Sequence, residues 1–198
     1  MQAFKRREVY ATSGPRIYLR VFGGWDFNNR DLNHKRYPEN GYAKGVPMGG
    51  DLPERKGTKS PSFLINAGSD SQGANLDRVQ VIKGWVDSQG QSFERVYDVA
   101  WAGEDRLGAG NKLAAIGSTV NLQTATYTNS IGAPLISTVW RDPDFNAELS
   151  AFYYVRVIEI PTPRHALADA LALGMDAPDR GPAVIQERAY SSPIWYAP

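Results

Sequence analysis

The chain has 198 residues, a formal net charge of +1 and no cysteine. That length suits one domain, or one domain with an appendage, and is enough to build a core without staples. The near-zero charge leaves no global field to recruit nucleic acid or an anionic membrane, and the missing thiols exclude disulfide frameworks, zinc–thiolate sites and cysteine nucleophiles while leaving the compartment open.

Residues 3–7, Ala-Phe-Lys-Arg-Arg, read as the last turn of a helix that has nothing in front of it. A helix that short does not stand alone in water. No stretch approaches the roughly 18 apolar residues of a membrane-spanning helix, and the first 25 residues lack the uninterrupted apolar core of a signal peptide, so any signal for export is expected outside this chain. After Gly14-Pro15, Ile17, Leu19 and Val21 alternate with Arg16, Tyr18 and Arg20, and period two predicts a half-buried strand ended by Gly23-Gly24. Residues 25–60 have no sustained period and are rich in Gly, Pro, Asn and charge, so they read as a long surface loop. Its aromatic residues (Trp25, Phe27, Tyr37, Tyr42) argue that it is packed down.

Strands then follow in series. Ser62–Ala67 is short and apolar, and Arg78–Val86 and Ser92–Trp101 flank Asp87-Ser88-Gln89-Gly90 as a hairpin. Phe93, Tyr97, Val99 and Trp101 are expected on one face of the second arm. Thr119–Thr128 and Ala133–Trp140 are further candidate strands. Phe152–Ile160, FYYVRVIEI, is apolar on both faces and belongs in the middle of a sheet. One helix follows, with Thr162 as N-cap, Pro163 at the first helical position and Gly174 as the C-terminal cap. A last strand within Ile185–Tyr196 is broken at Ser192-Pro193. The series predicts a mainly β chain: an immunoglobulin- or fibronectin-like β-sandwich with a long N-terminal-side loop and one C-terminal-side helix.

Motifs for chemistry are sparse. The two histidines, His34 and His165, sit beside cations and read as surface residues rather than ligands or bases. Asp142–Glu148 looks like a calcium loop, but Ala147 and Tyr153 stand where a Gly and a bidentate Glu are required, so it reads as a turn with an Asp cap. Gly45–Gly50 lacks the Lys-Ser/Thr pair of a phosphate loop. No G-x-S-x-G surrounds Ser13. Trp85, Trp101, Trp140 and Trp195 lie at or beside strands and read as packing residues.

Five blocks, KRREVYATSGPRI, GYAKGVPMGGDL, ANLDRVQVIKGWVDSQGQSFERVYDVAW, SAFYYVRVIEIPTPR and ERAYSSPIWYAP, together resemble the C-terminal part of a bacterial family, domain-of-unknown-function family DUF3604. That family looks like an offshoot of the PHP (polymerase and histidinol phosphatase) metallohydrolases. The resemblance implies that residues 1–15 are the end of an upstream barrel helix and its join, and that residues 16–198 are a β-sandwich carrying the 25–60 loop. It implies a divalent metal in the absent barrel, none in this chain, and hydrolysis of phosphoesters by the parent. Here the chain itself has no catalytic or metal-ligating residue to carry over. Tyr10, Ser13 and Arg16 at the join, and Gly49 and Gly50 in the loop, are the candidates to face the parent's substrate. The implied partners are the upstream barrel and, through the surface it would cover, a second copy of the chain. A free-standing carbohydrate- or protein-binding module is the alternative, and it predicts a row of exposed aromatic rings on one sheet face.

Overall fold

The computed structural model describes residues 1–55, 57–176 and 181–198. The chain is mainly β, built from two antiparallel sheets and a few short helices. The six-stranded sheet runs β1 (Tyr10–Thr12), β11 (Arg188–Ser191), β8 (Ala151–Glu159), β5 (Leu76–Val86) and β6 (Ser92–Trp101), with β12 (Ile194–Tyr196) also on β8. The four-stranded sheet runs β3 (Gly45–Pro47), β2 (Tyr18–Gly24), β4 (Ser62–Gly68) and β7 (Leu135–Arg141). A small ladder pairs β9 (Thr162–Pro163) with β10 (Val184–Ile185). Among the described residues no helix is long and apolar enough to cross a membrane.

Alternation places the core. Leu19 and Val21 of β2, Phe63 and Ile65 of β4, Val79 and Val81 of β5, and Tyr153, Val155 and Val157 of β8 belong to one buried cluster, so both sheets contribute an apolar face to it. Each fully buried aliphatic side chain there is worth about 1.5–3 kcal/mol. The expected central strand is central: β8 has β5 on one side and β11 with β12 on the other. Ser192-Pro193 divides its second neighbour as read from sequence, and the Ser191 hydroxyl accepts the Val155 N–H at 2.9 Å beside the break.

Three expectations need correction. The 25–60 segment is not structureless: it holds a 3-10 helix (Asn29–Asn33), α2 (Tyr37–Lys44) and β3, while residue 56 lies outside the described residues. Trp25 is packed down as expected of that segment's aromatic residues, buried in the core edge-on to Phe145 and Tyr196 at 5.9 Å. Residues 119–128 make only an Asn121/Thr126 bridge, because the Asn121 side chain takes the Gln123 N–H and turns the chain. α3 (His165–Ala172) starts two residues late, with Arg164 at its N-cap, because Thr162-Pro163 are engaged in the β9–β10 ladder. Its other end is as expected. Gly174 has φ +65°, its N–H reaches the Leu171 carbonyl, and the Met175 N–H reaches Ala170, which is a Schellman closure.

Candidate functional site

The N-terminal edge gathers the residues singled out from sequence. α1 (Gln2–Lys5) leads to Arg7, which has φ +59°. The chain then runs as β1 along β11, pairing Tyr10 with Ser191. Gly49 is buried against this segment: its N–H donates to the Pro193 carbonyl at 3.0 Å, and Ser192 N–H donates to Val9. Gly49 has φ +86°, and a Cβ there would start inside the Arg7 carbonyl. Gly50 accepts the Trp195 N–H, and Arg7 pairs with Asp51 at 2.8 Å. Tyr10, Gly49 and Gly50 therefore meet across the β11–β12 join. Gly49→Ala is expected to cost on the order of 2 kcal/mol and to open residues 7–9 to proteolysis. Thermal melting and limited proteolysis check this; an unchanged melt with equal protection would show the N-terminal segment does not depend on that close approach.

Ser13 and Arg16 lie beyond the other end of β1. The Ser13 hydroxyl donates to the Glu187 carboxylate and accepts the Arg188 N–H at 2.9 Å. The Arg16 backbone N–H donates to Asp70 at 2.9 Å, which with the Gln72 N–H holds the Asp70 carboxyl below its usual range, while the Arg16 side chain is exposed. The five candidates line one edge but do not converge on a common cavity.

Two ionic centres lie beneath the sheets, and sequence reasoning missed both. In the first, Lys83 on β5 pairs with Asp142 after β7 at 2.6 Å, with side-chain exposures of 6% and 0%. The Lys83 ammonium also donates to the Asp144 carbonyl at 2.8 Å and lies over the rings of Trp85 and Tyr153. The Tyr153 hydroxyl donates to Asp142 at 2.7 Å, and burial with that neighbouring carboxylate drives the phenol well above its usual pKa. The acidic loop that resembled a calcium site thus encloses an ammonium from its own chain. In the second centre, Arg106 binds Asp77 at 2.7 Å and the carbonyls of Ala102 and Ala114 at 2.6 and 2.8 Å. Gln186 bridges Asp77 and the Glu159 carbonyl. The Glu159 side chain is buried, its Oε1 has no hydrogen-bond partner, and burial followed by repulsion from Glu187 and Asp70 pushes its pKa up to about 8.

The outward face of the six-stranded sheet differs from the core face. Register sets Trp195, Phe152, Gly84 and Glu94 in one row, then Tyr154, Ile82 and Val96, then Tyr190, Arg156, Gln80 and Asp98, and last Arg188, Ile158 and Arg78. Trp195, expected as a packing residue, is 42% exposed on this face. Trp101 also turns outward, opposite Arg78, because the ladder skips Val99 and one extra residue reverses the parity of the strand. Phe152 leans across Gly84, its ring occupying the space a side chain there would need. Phe152 lies 5.3 Å from Trp195 and 6.4 Å from Tyr154, and Tyr154 lies 6.4 Å from Tyr190. A groove of about 470 Å³ opens at the first row, with Gly84, Glu94, Phe152 and Trp195 of that row in its lining, together with Trp85 and Phe93, which register sets on the opposite face.

The described residues do not fit the divalent metal implied for the parent. His34 and His165 are both exposed, and of the three most buried carboxylates Asp77 and Asp142 are taken by Arg106 and Lys83, which leaves Glu159 alone. No group of three or more His, Asp or Glu among the described residues is placed to hold an ion. A family model described as "Protein of unknown function (DUF3604)" matches residues 1–198. No curated protein and no solved structure matches the chain.

Proposed function

We propose, for a chain that belongs to the DUF3604 family throughout residues 1–198, the role of a non-catalytic β lobe that caps a PHP-type metal-dependent hydrolase barrel. The observation that carries this reading is α1. None of its residues is buried, and Phe4 is 73% exposed, yet residues 7–10 just after it are pinned to the 45–52 loop and β11. A four-residue helix with an uncovered phenylalanine calls for a neighbour to hold it. Tyr10, 41% exposed, extends the same edge. In this reading residues 1–15 form the join, the barrel supplies the divalent metal and the phosphoester chemistry, and the 45–52 loop reaches the substrate entrance with Tyr10, Ser13, Arg16, Gly49 and Gly50 on that side. The core shared between two sheets supports the immunoglobulin- or fibronectin-like sandwich class for residues 16–198.

Light scattering of the isolated chain is expected to show concentration-dependent self-association through this edge, weakened by Phe4→Ser. The purified chain is also expected to carry no stoichiometric divalent metal and to leave a chromogenic phosphoester intact. A monomer at high concentration removes the docking edge. Tightly held metal or turnover by the chain alone overturns the accessory reading.

The outward aromatic row favours a second reading, a carbohydrate- or protein-binding module. The two adjoin at β12, where the Trp195 N–H donates to the Gly50 carbonyl, but Phe4, on which the first reading rests, lies on α1 and not in the aromatic row.

A further inference from the structure

We propose that the outward face of the six-stranded sheet binds an acidic polysaccharide, a chain of pyranose units bearing carboxylates. This deepens the binding-module reading, on which it rests, and uses none of the side chains of α1 or Tyr10.

Two halves of the face carry the argument. The first two rows offer ring surface: Trp195, Phe152 and Tyr154 lie side by side, with Phe152 and Tyr154 only 13° from parallel. The C–H face of a pyranose is flat and apolar, and its hydroxyls point outward around the rim. An aromatic floor with polar groups at its margin complements that shape. The groove at the first row has this composition, with Ser92, Glu94 and Ser150 beside the rings, and its size lies in the range of small-ligand sites.

The last two rows are cationic. Arg156, Arg188 and Arg78 share this end of the outward face against one carboxylate, Asp98. Arg78 also pairs with buried Asp77 at 3.3 Å and Arg156 Nε donates to Gln80 at 2.7 Å, which orients them, and guanidinium groups suit bidentate binding of carboxylates. The charge is felt locally. Burial would raise the Tyr190 hydroxyl, but the guanidiniums of Arg188 and Arg156 outweigh it and hold the pKa below the usual phenol value. At ~3.4 Å per residue, Phe152 and Arg156 are about 14 Å apart along β8. A ligand that stacks at one end and pairs its carboxylate at the other is therefore a chain rather than a single sugar.

Single-stranded nucleic acid also combines stacking with negative charge, but it needs cations beside each stacked base. Here the stacking end is flanked by Glu94, and Asp98 follows on the same strand, where it accepts from Gln80 at 2.7 Å. The segregation of rings from guanidiniums fits a ligand whose charges are spaced apart.

Native affinity electrophoresis tests the proposal with the whole chain, using gels containing polygalacturonate, fully methyl-esterified pectin, dextran or no polymer. Retardation is expected in polygalacturonate and not in the esterified polymer, which keeps the backbone and loses the charge. Trp195→Ala and Arg188→Gln are each expected to weaken retardation roughly tenfold, about 1.4 kcal/mol. Gly84→Ala adds no charge and removes no ring, but it displaces Phe152, and it is expected to weaken binding too. A circular-dichroism melt confirms that each variant folds. Equal retardation by esterified pectin or dextran overturns the proposal, as does retardation that all three variants leave unchanged. Absence of retardation in polygalacturonate overturns it, and so does tighter binding of oligo(dT) than of polygalacturonate in a competition assay. None of these outcomes bears on self-association through Phe4, so the two readings fail separately.

Discussion

Lys83→Met is expected to destabilise the protein by about 3–5 kcal/mol, the cost of leaving a buried carboxylate without its counter-charge. Asp142 has no exposed side-chain surface, and the loop after β7 is organised around it: the Asp144 N–H donates to Asp142 Oδ1 at 2.9 Å, and the Tyr153 hydroxyl and the Lys83 ammonium both reach Oδ2. Removing the ammonium also strips a donor from the Asp144 carbonyl and a cation from the Trp85 and Tyr153 rings. The double variant Lys83→Met/Asp142→Asn removes both charges together and is expected to recover most of the loss, since replacing a buried pair costs far less than breaking it. Urea unfolding of the two single variants and the double variant measures the coupling. A Lys83→Met cost below about 1 kcal/mol would mean that the pair does not hold this loop.

Glu159→Gln is expected to change the pH dependence of stability rather than the fold. The Glu159 pKa is pushed up to about 8 in the native state, against an ordinary value of 4.5. Between those values the folded protein keeps a proton that the unfolded chain releases, so stability falls as pH rises through that window. Below it both states are protonated and there is no penalty; above pH 8 the penalty is complete. At ~1.4 kcal/mol per unit the total is on the order of several kcal/mol. The glutamine variant carries no such proton, so its stability should exceed that of the parent at pH 8 and match it more closely near pH 4.5. Melting curves across this range decide the matter. Parallel pH profiles for the two proteins would show that Glu159 is not the titrating group.

The legible parts of the fold were those where a single face had to be buried. Ile17, Leu19 and Val21 announce β2, and the two-faced apolar run at 152–160 announces a strand with neighbours on both sides. What stayed hidden depended on contacts distant in sequence. α2 contains Pro38 and Gly41, which argue against a helix locally, yet Gly41 is required because the Phe22 ring fills the space where its side chain would be. Thr119–Thr128 alternates convincingly, but alternation without a partner strand does not make a sheet. The parity change at Val99 is invisible in the β6 sequence alone, because a bulge is a property of the pair. At the candidate site, the glycine density of residues 45–50 signalled a close approach, and the structure places the Arg7 backbone at Gly49. The Lys83–Asp142 pair had no such signal: the two residues are far apart along the chain, and the calcium-like run that begins at Asp142 gives no hint of a lysine partner on β5.

The enclosure of Lys83 within the 142–144 turn has one more consequence. The positive charge that compacts this acidic loop is covalently tethered to β5, so a chelator cannot strip it and dilution cannot remove it. The loop's shape is tied to the protein's own side chains, through the Lys83 ammonium and the Tyr153 hydroxyl on Asp142.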